Sequence, residues 1–247
     1  IHLLIKEWKK LKIKNFVLIT NINIFKHKKI LQNKYLNIIN NEKNLSSFNS
    51  KKLNILKINT LNKYTNCLDS LKKAYDLNKK NIFIGILTLP INKRDINKYV
   101  DKKFLDQTTF FSNLEKNKDS NMVFIYKNKF FVPLTIHIEI KNVYKEYINP
   151  KKIINKIESL YETLLNDFQI NNPKMIIAGI NPHAGESGLI SKDENKYLKP
   201  ILQILKNKKN ISIEGPCSGD SMININNLNK YNVFLFTYHD QALIPFK

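Results

Sequence analysis

Short apolar runs of β-forming residues alternate along this chain with stretches whose apolar positions recur every three or four residues. The runs fall at 16–20, 53–58, 82–88, 122–126, 130–136, 175–180 and 233–238, and each predicts a strand. Between them, Asn149-Pro150 places a cap residue before a proline at the first helical position. Ile153, Ile154, Ile157, Leu160, Tyr161, Leu164, Leu165 and Phe168 then follow the spacing of one buried helical face, a core stripe and not a cofactor box. A second helix is expected from near Asn66, with Leu68, Leu71, Ala74 and Tyr75 inward, and a third from about Asp193 to Lys206. Strands alternating with helices predict an α/β fold with a largely parallel sheet.

At 247 residues and 43% hydrophobic, the chain has enough apolar material for one large or two small α/β domains. We expect the domain change where a polar stretch separates two groups of strands, giving units of about 1–110 and 111–247. The Lys/Asn-rich segment 40–52 reads as a surface connection, and there is no internal repeat. No apolar run is long enough to cross a bilayer and the start lacks the layout of a signal peptide, so a cytoplasmic location without a membrane partner is expected. Cys67 and Cys217 form no spacing motif and read as buried or inert thiols. The first residue is not Met and the last two, Phe246-Lys247, directly follow a motif, so a chain broken at both ends is expected.

A net charge of +21 ordinarily points to nucleic acid. Here Arg94 is the only arginine, and the lysines are scattered among 36 asparagines. Base-edge and bidentate phosphate readers favour arginine, so the composition reflects drift toward Lys, Asn and Ile, and no nucleic-acid partner is expected. A basic surface still helps attract an anionic small substrate.

Candidate chemistry lies in three of the five histidines. His137, His183 and His239 each come at or just past the carboxyl end of an expected buried strand. Ligands bind at that edge of open α/β sheets, so three imidazoles far apart in sequence can converge there and suit a divalent transition metal. Any one of them alone is better read as a strand cap. Their joint occurrence shifts the balance, as do the turn Asn181-Pro182-His183-Ala184-Gly185-Glu186 and the carboxylate and amide of Asp240 and Gln241. His2 and His27 lack such settings and are expected to be exposed.

These residues carry a resemblance. Gly179-Ile180-Asn181-Pro182-His183-Ala184-Gly185-Glu186 and Tyr238-His239-Asp240-Gln241-Ala242-Leu243-Ile244-Pro245-Phe246-Lys247 resemble the two most recognisable motifs of the 4-hydroxythreonine-4-phosphate dehydrogenase family. Thr88-Leu89-Pro90-Ile91-Asn92-Lys93, Gln107-Thr108, Thr135-Ile136-His137-Ile138 and Gly215-Pro216 with Asp220 resemble four shorter elements in the same order.

The resemblance implies two αβα subdomains with a cleft between them, similar to isocitrate and isopropylmalate dehydrogenases. It implies an NAD- or NADP-dependent oxidation of a phosphorylated hydroxy amino acid in pyridoxal phosphate synthesis. It also implies a divalent ion (Zn, Mg or Co) held by His137, His183 and His239 at a homodimer interface, so the three imidazoles need not meet within one chain. Gln107, Thr108 and Lys247 would contact substrate, with Lys247 and Asp240 as the catalytic candidates. A sister dehydrogenase of threonate or erythronate phosphate, and an inactive metal-binding remnant, are the alternatives.

The chain departs from the family pattern at Asp106, Thr109, Glu139, Leu89 and Ala242, and Thr109 removes a carboxylate from the substrate segment. Trp8 aligns with the family's first helix. No Gly-x-Gly-x-x-Gly fingerprint occurs, and no cofactor-binding residue is assigned.

Overall fold

The computed structural model describes residues 4, 7, 10, 15–24, 34–115 and 120–247. His2, Trp8 and His27 lie outside the described residues. The chain divides into two compact units, Ile1–Glu115 and Lys116–Lys247.

In the first unit, strands β1 (Val17–Thr20), β2 (Leu36–Ile39) and β3 (Leu53–Lys57) form a parallel sheet in the order β1-β3-β2. Helix α1 (Thr65–Lys79) buries Leu71 and Leu77, and Leu77 packs with Ile39 and Leu56. Two short helices follow, α2 (Lys93–Tyr99) and α3 (Gln107–Leu114). The strand expected at 82–88 is absent. Asn81 takes a left-handed φ of 57° after the helix, Ile84 and Leu87 are exposed, and no described strand pairs with the segment. An apolar run without a ladder partner leaves its backbone groups to water and does not become a strand.

The second unit is built on a five-stranded sheet in the order β4-β5-β8-β6-β7. Strand β4 (Phe124–Tyr126) and β5 (Lys129–Pro133) form an antiparallel hairpin whose turn has Lys127 at a φ of 53°. Helices α4 (Val143–Ile148) and α5 (Pro150–Asn166) lead to β6 (Met175–Ala178). A π-helical turn, Glu194–Leu198, runs into α6 (Lys199–Lys209), then β7 (Ile213–Cys217), α7 (Ile225–Lys230), β8 (Val233–Phe236) and α8 (His239–Phe246). The strands β5, β6, β7 and β8 are mutually parallel where they pair.

The sheet is covered on both faces, which is why its central strands read as unbroken apolar runs. Val132, Ile177, Val233 and Leu235 face one core with Ile153, Ile157, Leu160 and Leu164 of α5. Phe131, Ile176, Phe234 and Phe236 face a second core with Met222 and Ala242. Each fully buried Ile or Leu of α5 contributes about 1.5–3 kcal/mol.

Some sequence expectations need correction. Asn149 stands at the N-cap of α5 but its side chain makes no capping bond, and Phe168 is exposed. Strand β7 was hidden by Gly215-Pro216, residues that argue against a strand; as an edge strand it tolerates a missing N–H. Both cysteines are free and half-buried, and burial pushes the Cys217 thiol up to about 11.

Candidate functional site

Because β5, β8 and β6 are adjacent and parallel, their carboxyl ends share one edge of the sheet. His137 follows β5, His239 opens α8 directly after β8, and His183 follows β6. Neighbouring strands lie about 4.8 Å apart, and the rings of His137 and His239 are correspondingly close, with centroids 5.6 Å apart and planes tilted by 46°. Two imidazoles sharing a zinc ion at about 2.0–2.1 Å in tetrahedral geometry have ring centres roughly 5 Å apart. The centroid spacing of the pair is of that order, and neutral imidazole is a donor that suits a divalent ion.

His183 does not join that pair within one chain: among the described residues, no group of three or more His, Cys, Asp or Glu side chains gathers as a metal site. Its Nδ1 instead lies 3.5 Å from Ser218 Oγ, and that hydroxyl donates to Asp220. The bond from Ser218 holds the Asp220 carboxyl below its usual value. His239 Nδ1 lies 3.3 Å from Asp240 Oδ1. With a proton on Nδ1, Nε2 keeps the electron pair that ligates.

The backbone that carries His183 is unusual. From His183 to Ser187 five successive residues are left-handed, with φ of 50°, 53°, 74°, 45° and 56°. Four of them are not glycine, and left-handed backbone costs such residues about 1–2 kcal/mol each. The turn is over-determined from below by Glu194, which is buried and accepts from Asn181 N at 2.7 Å and from Asn181 Nδ2 at 3.2 Å. Gly179 is required beneath it, since a Cβ there would lie 2.6 Å from Ala184 Cα. His137 is also left-handed, at a φ of 53°. Strained backbone of this kind collects at functional sites. A cavity of about 460 Å³ opens beside the turn, lined by Asn181, His183, Ser218, Asp220, Tyr238 and Gln241 among others.

The remaining candidates are placed as follows. Asp240 is exposed beside His239. Lys247 is exposed at the far end of α8 from His239, so about 12 Å of helix separates their backbones. In the first unit, Gln107 and Thr108 open α3; Gln107 Nε2 donates to Leu89 O at 3.1 Å and Thr108 is exposed. Asp106, a departure from the family pattern, caps this helix by accepting from Thr109 N at 2.7 Å. A cavity of about 380 Å³ lies alongside, with Gln107, Tyr64, Cys67 and Asn92 in its walls.

The model of the family described as pyridoxal phosphate biosynthetic protein PdxA matches residues 12–247. The chain belongs to this family. Among curated relatives, the 4-hydroxythreonine-4-phosphate dehydrogenase of Zymomonas mobilis is 35% identical over 180 residues, covering 72% of this chain and 53% of its own length. That of Wigglesworthia glossinidia brevipalpis is 34% identical over 186 residues, covering 75% of this chain and 52% of its own. The chain thus spans about half the length of the curated relatives it matches. The crystal structure of 4-hydroxythreonine-4-phosphate dehydrogenase from Klebsiella pneumoniae superposes with a TM-score of 0.77 at 20% identity, covering 93% of this chain and 74% of that one. At that identity the likeness speaks for the mixed α/β fold.

Nothing in the local sequence marks Ser218 or Glu194 as part of this site. Glu194 lies in the segment expected to be helical from about Asp193, and nothing local signals its burial. Ser218 lies within the Gly215 to Asp220 element, whose resemblance to the PdxA pattern was its only signal.

Proposed function

We propose that this chain serves the oxidation of 4-phosphohydroxy-L-threonine by NAD or NADP in pyridoxal phosphate synthesis, as a 4-hydroxythreonine-4-phosphate dehydrogenase acting in the cytoplasm. The observation that carries the reading is the close approach of His137 and His239 at the ends of adjacent strands, in a chain of the PdxA family. His137, His183 and His239 hold one divalent ion, Zn, Mg or Co, with at least one of the three imidazoles supplied by a second copy of the chain. The ion, when bound, supplies Lewis acidity that lowers the pKa of the substrate hydroxyl and polarises the ketone that follows.

The chain's own residues do the rest. Gln107 and Thr108 bind the phosphorylated hydroxy amino acid, and Asp240 orients His239. Lys247 orients the substrate and assists proton transfer as the carbon–hydrogen bond breaks and hydride passes to the nicotinamide. The product, 2-amino-3-oxo-4-phosphooxybutanoate, is a β-keto acid and loses carbon dioxide to give 3-amino-2-oxopropyl phosphate.

The test measures metal content and NAD(P)H formation on the same samples of the full chain. His183→Ala and His239→Ala should lose metal and turnover together, whereas Lys247→Ala should keep the metal and lose turnover. Full activity in a histidine variant or in chelator-treated protein would sink the mechanism. Erythronate 4-phosphate in the same assay distinguishes a sugar-acid dehydrogenase.

A further inference from the structure

The backbone ladder between β5 and β8 ends with Leu134 N donating to Phe236 O at 2.8 Å. Beyond it a side-chain network continues the cross-linking of the three strands that lead to the histidines. Thr237 O, just past β8, accepts from Thr135 Oγ1 at 2.7 Å and from Tyr147 Oη at 2.9 Å, which ties it to the end of β5. On the other side, Gln241 Oε1 accepts from Thr237 N at 2.8 Å, and Gln241 Nε2 donates to Gly179 O at 3.0 Å, just past β6. The Thr237 hydroxyl lies 2.8 Å from Gln241 Oε1 and 3.2 Å from Gly179 O. Thr135, Gly179 and Thr237 are buried.

The chemistry dictates the residue type. Gln241 must accept from an N–H at one end and donate to a carbonyl at the other, which only a primary amide does at this length. A glutamate would set an ionised oxygen against Gly179 O, and a methionine would leave both backbone groups without this partner. Moreover, Gln241 stands in the first turn of α8 beside His239, and Gly219 leaves room for it: a Cβ there would lie 2.7 Å from Gln241 Nε2.

We propose that Gln241 and Thr237 are positioning residues for metal binding, a clamp that fixes the relative placement of the three strand ends bearing His137, His239 and His183. This rests on the reading of those histidines as metal ligands. A network serving stability alone would change the melting temperature and leave the folded protein's metal site as it was.

Cobalt(II) serves as the probe, added to the full chain, with affinity measured by competition against a chromophoric chelator and geometry by the visible absorption bands. Gln241→Met and Gln241→Glu should each weaken Co(II) binding at least ten-fold and alter the bands in protein that still unfolds cooperatively. As a second pair, Thr237→Val should weaken binding while Thr237→Ser, which keeps the hydroxyl, should match the unaltered chain. Wild-type affinity and spectrum in a folded Gln241→Met or Thr237→Val variant overturn the clamp alone. If the unaltered folded chain binds no Co(II), or His239→Ala binds it equally well, the metal reading itself fails and takes the clamp with it.

Discussion

Gly185→Ala tests whether the left-handed turn is held as tightly as its packing indicates. Gly185 is buried at a φ of +74°, and a Cβ there would lie 2.4 Å from Glu194 Oε2 and 2.5 Å from Ser191 O. The backbone oxygen cannot swing away as a surface side chain would. Left-handed backbone costs an alanine about 1–2 kcal/mol, and forcing a methyl into filled space adds about 1–3 kcal/mol. The expected loss is therefore about 2–5 kcal/mol. For a unit of this size each kcal/mol shifts the midpoint by roughly 4 °C, so melting followed by circular dichroism should fall by roughly 8–20 °C. Gly85→Ala is the control, since nothing lies within 4 Å of a Cβ there, and it should be close to neutral. A Gly185→Ala protein that melts with the unaltered chain would refute the account of the turn and of Glu194 beneath it.

Two further outcomes follow from local geometry. Asp106→Ala removes the cap that accepts from Thr109 N and should cost the first unit about 0.5–2 kcal/mol in urea unfolding, with Asp106→Asn recovering most of it. The Asp220 carboxyl is held below its ordinary value by the Ser218 hydroxyl, so its contribution is present above the unfolded pKa and is lost as pH falls through the lower folded one. Melting profiles below about pH 4 should accordingly fall more steeply for the unaltered chain than for Asp220→Asn, and identical profiles would refute the assignment.

Much of the second unit was legible in the sequence because its central strands are buried on both faces and its long helix buries one stripe. Two-sided burial demands unbroken apolar runs such as Val233–Phe236, and one-sided helical burial demands the spacing of Ile153, Ile157, Leu160 and Leu164. The same rule failed at 82–88, where an apolar run has no partner among the described strands, and at β7, where pairing at an edge overrides Gly215-Pro216. Both outcomes depend on neighbours distant in sequence, which local composition does not encode.

The histidines, too, could be singled out from their positions after apolar runs. Only the strand order brings β5, β8 and β6 side by side and so sets His137 against His239. The left-handed path from His183 to Ser187, the burial of Glu194 and the amide bridge of Gln241 belong wholly to the tertiary structure. Each is a bargain between a strained or desolvated group and partners many residues away: the sequence determined which groups were available, and packing decided which of them meet.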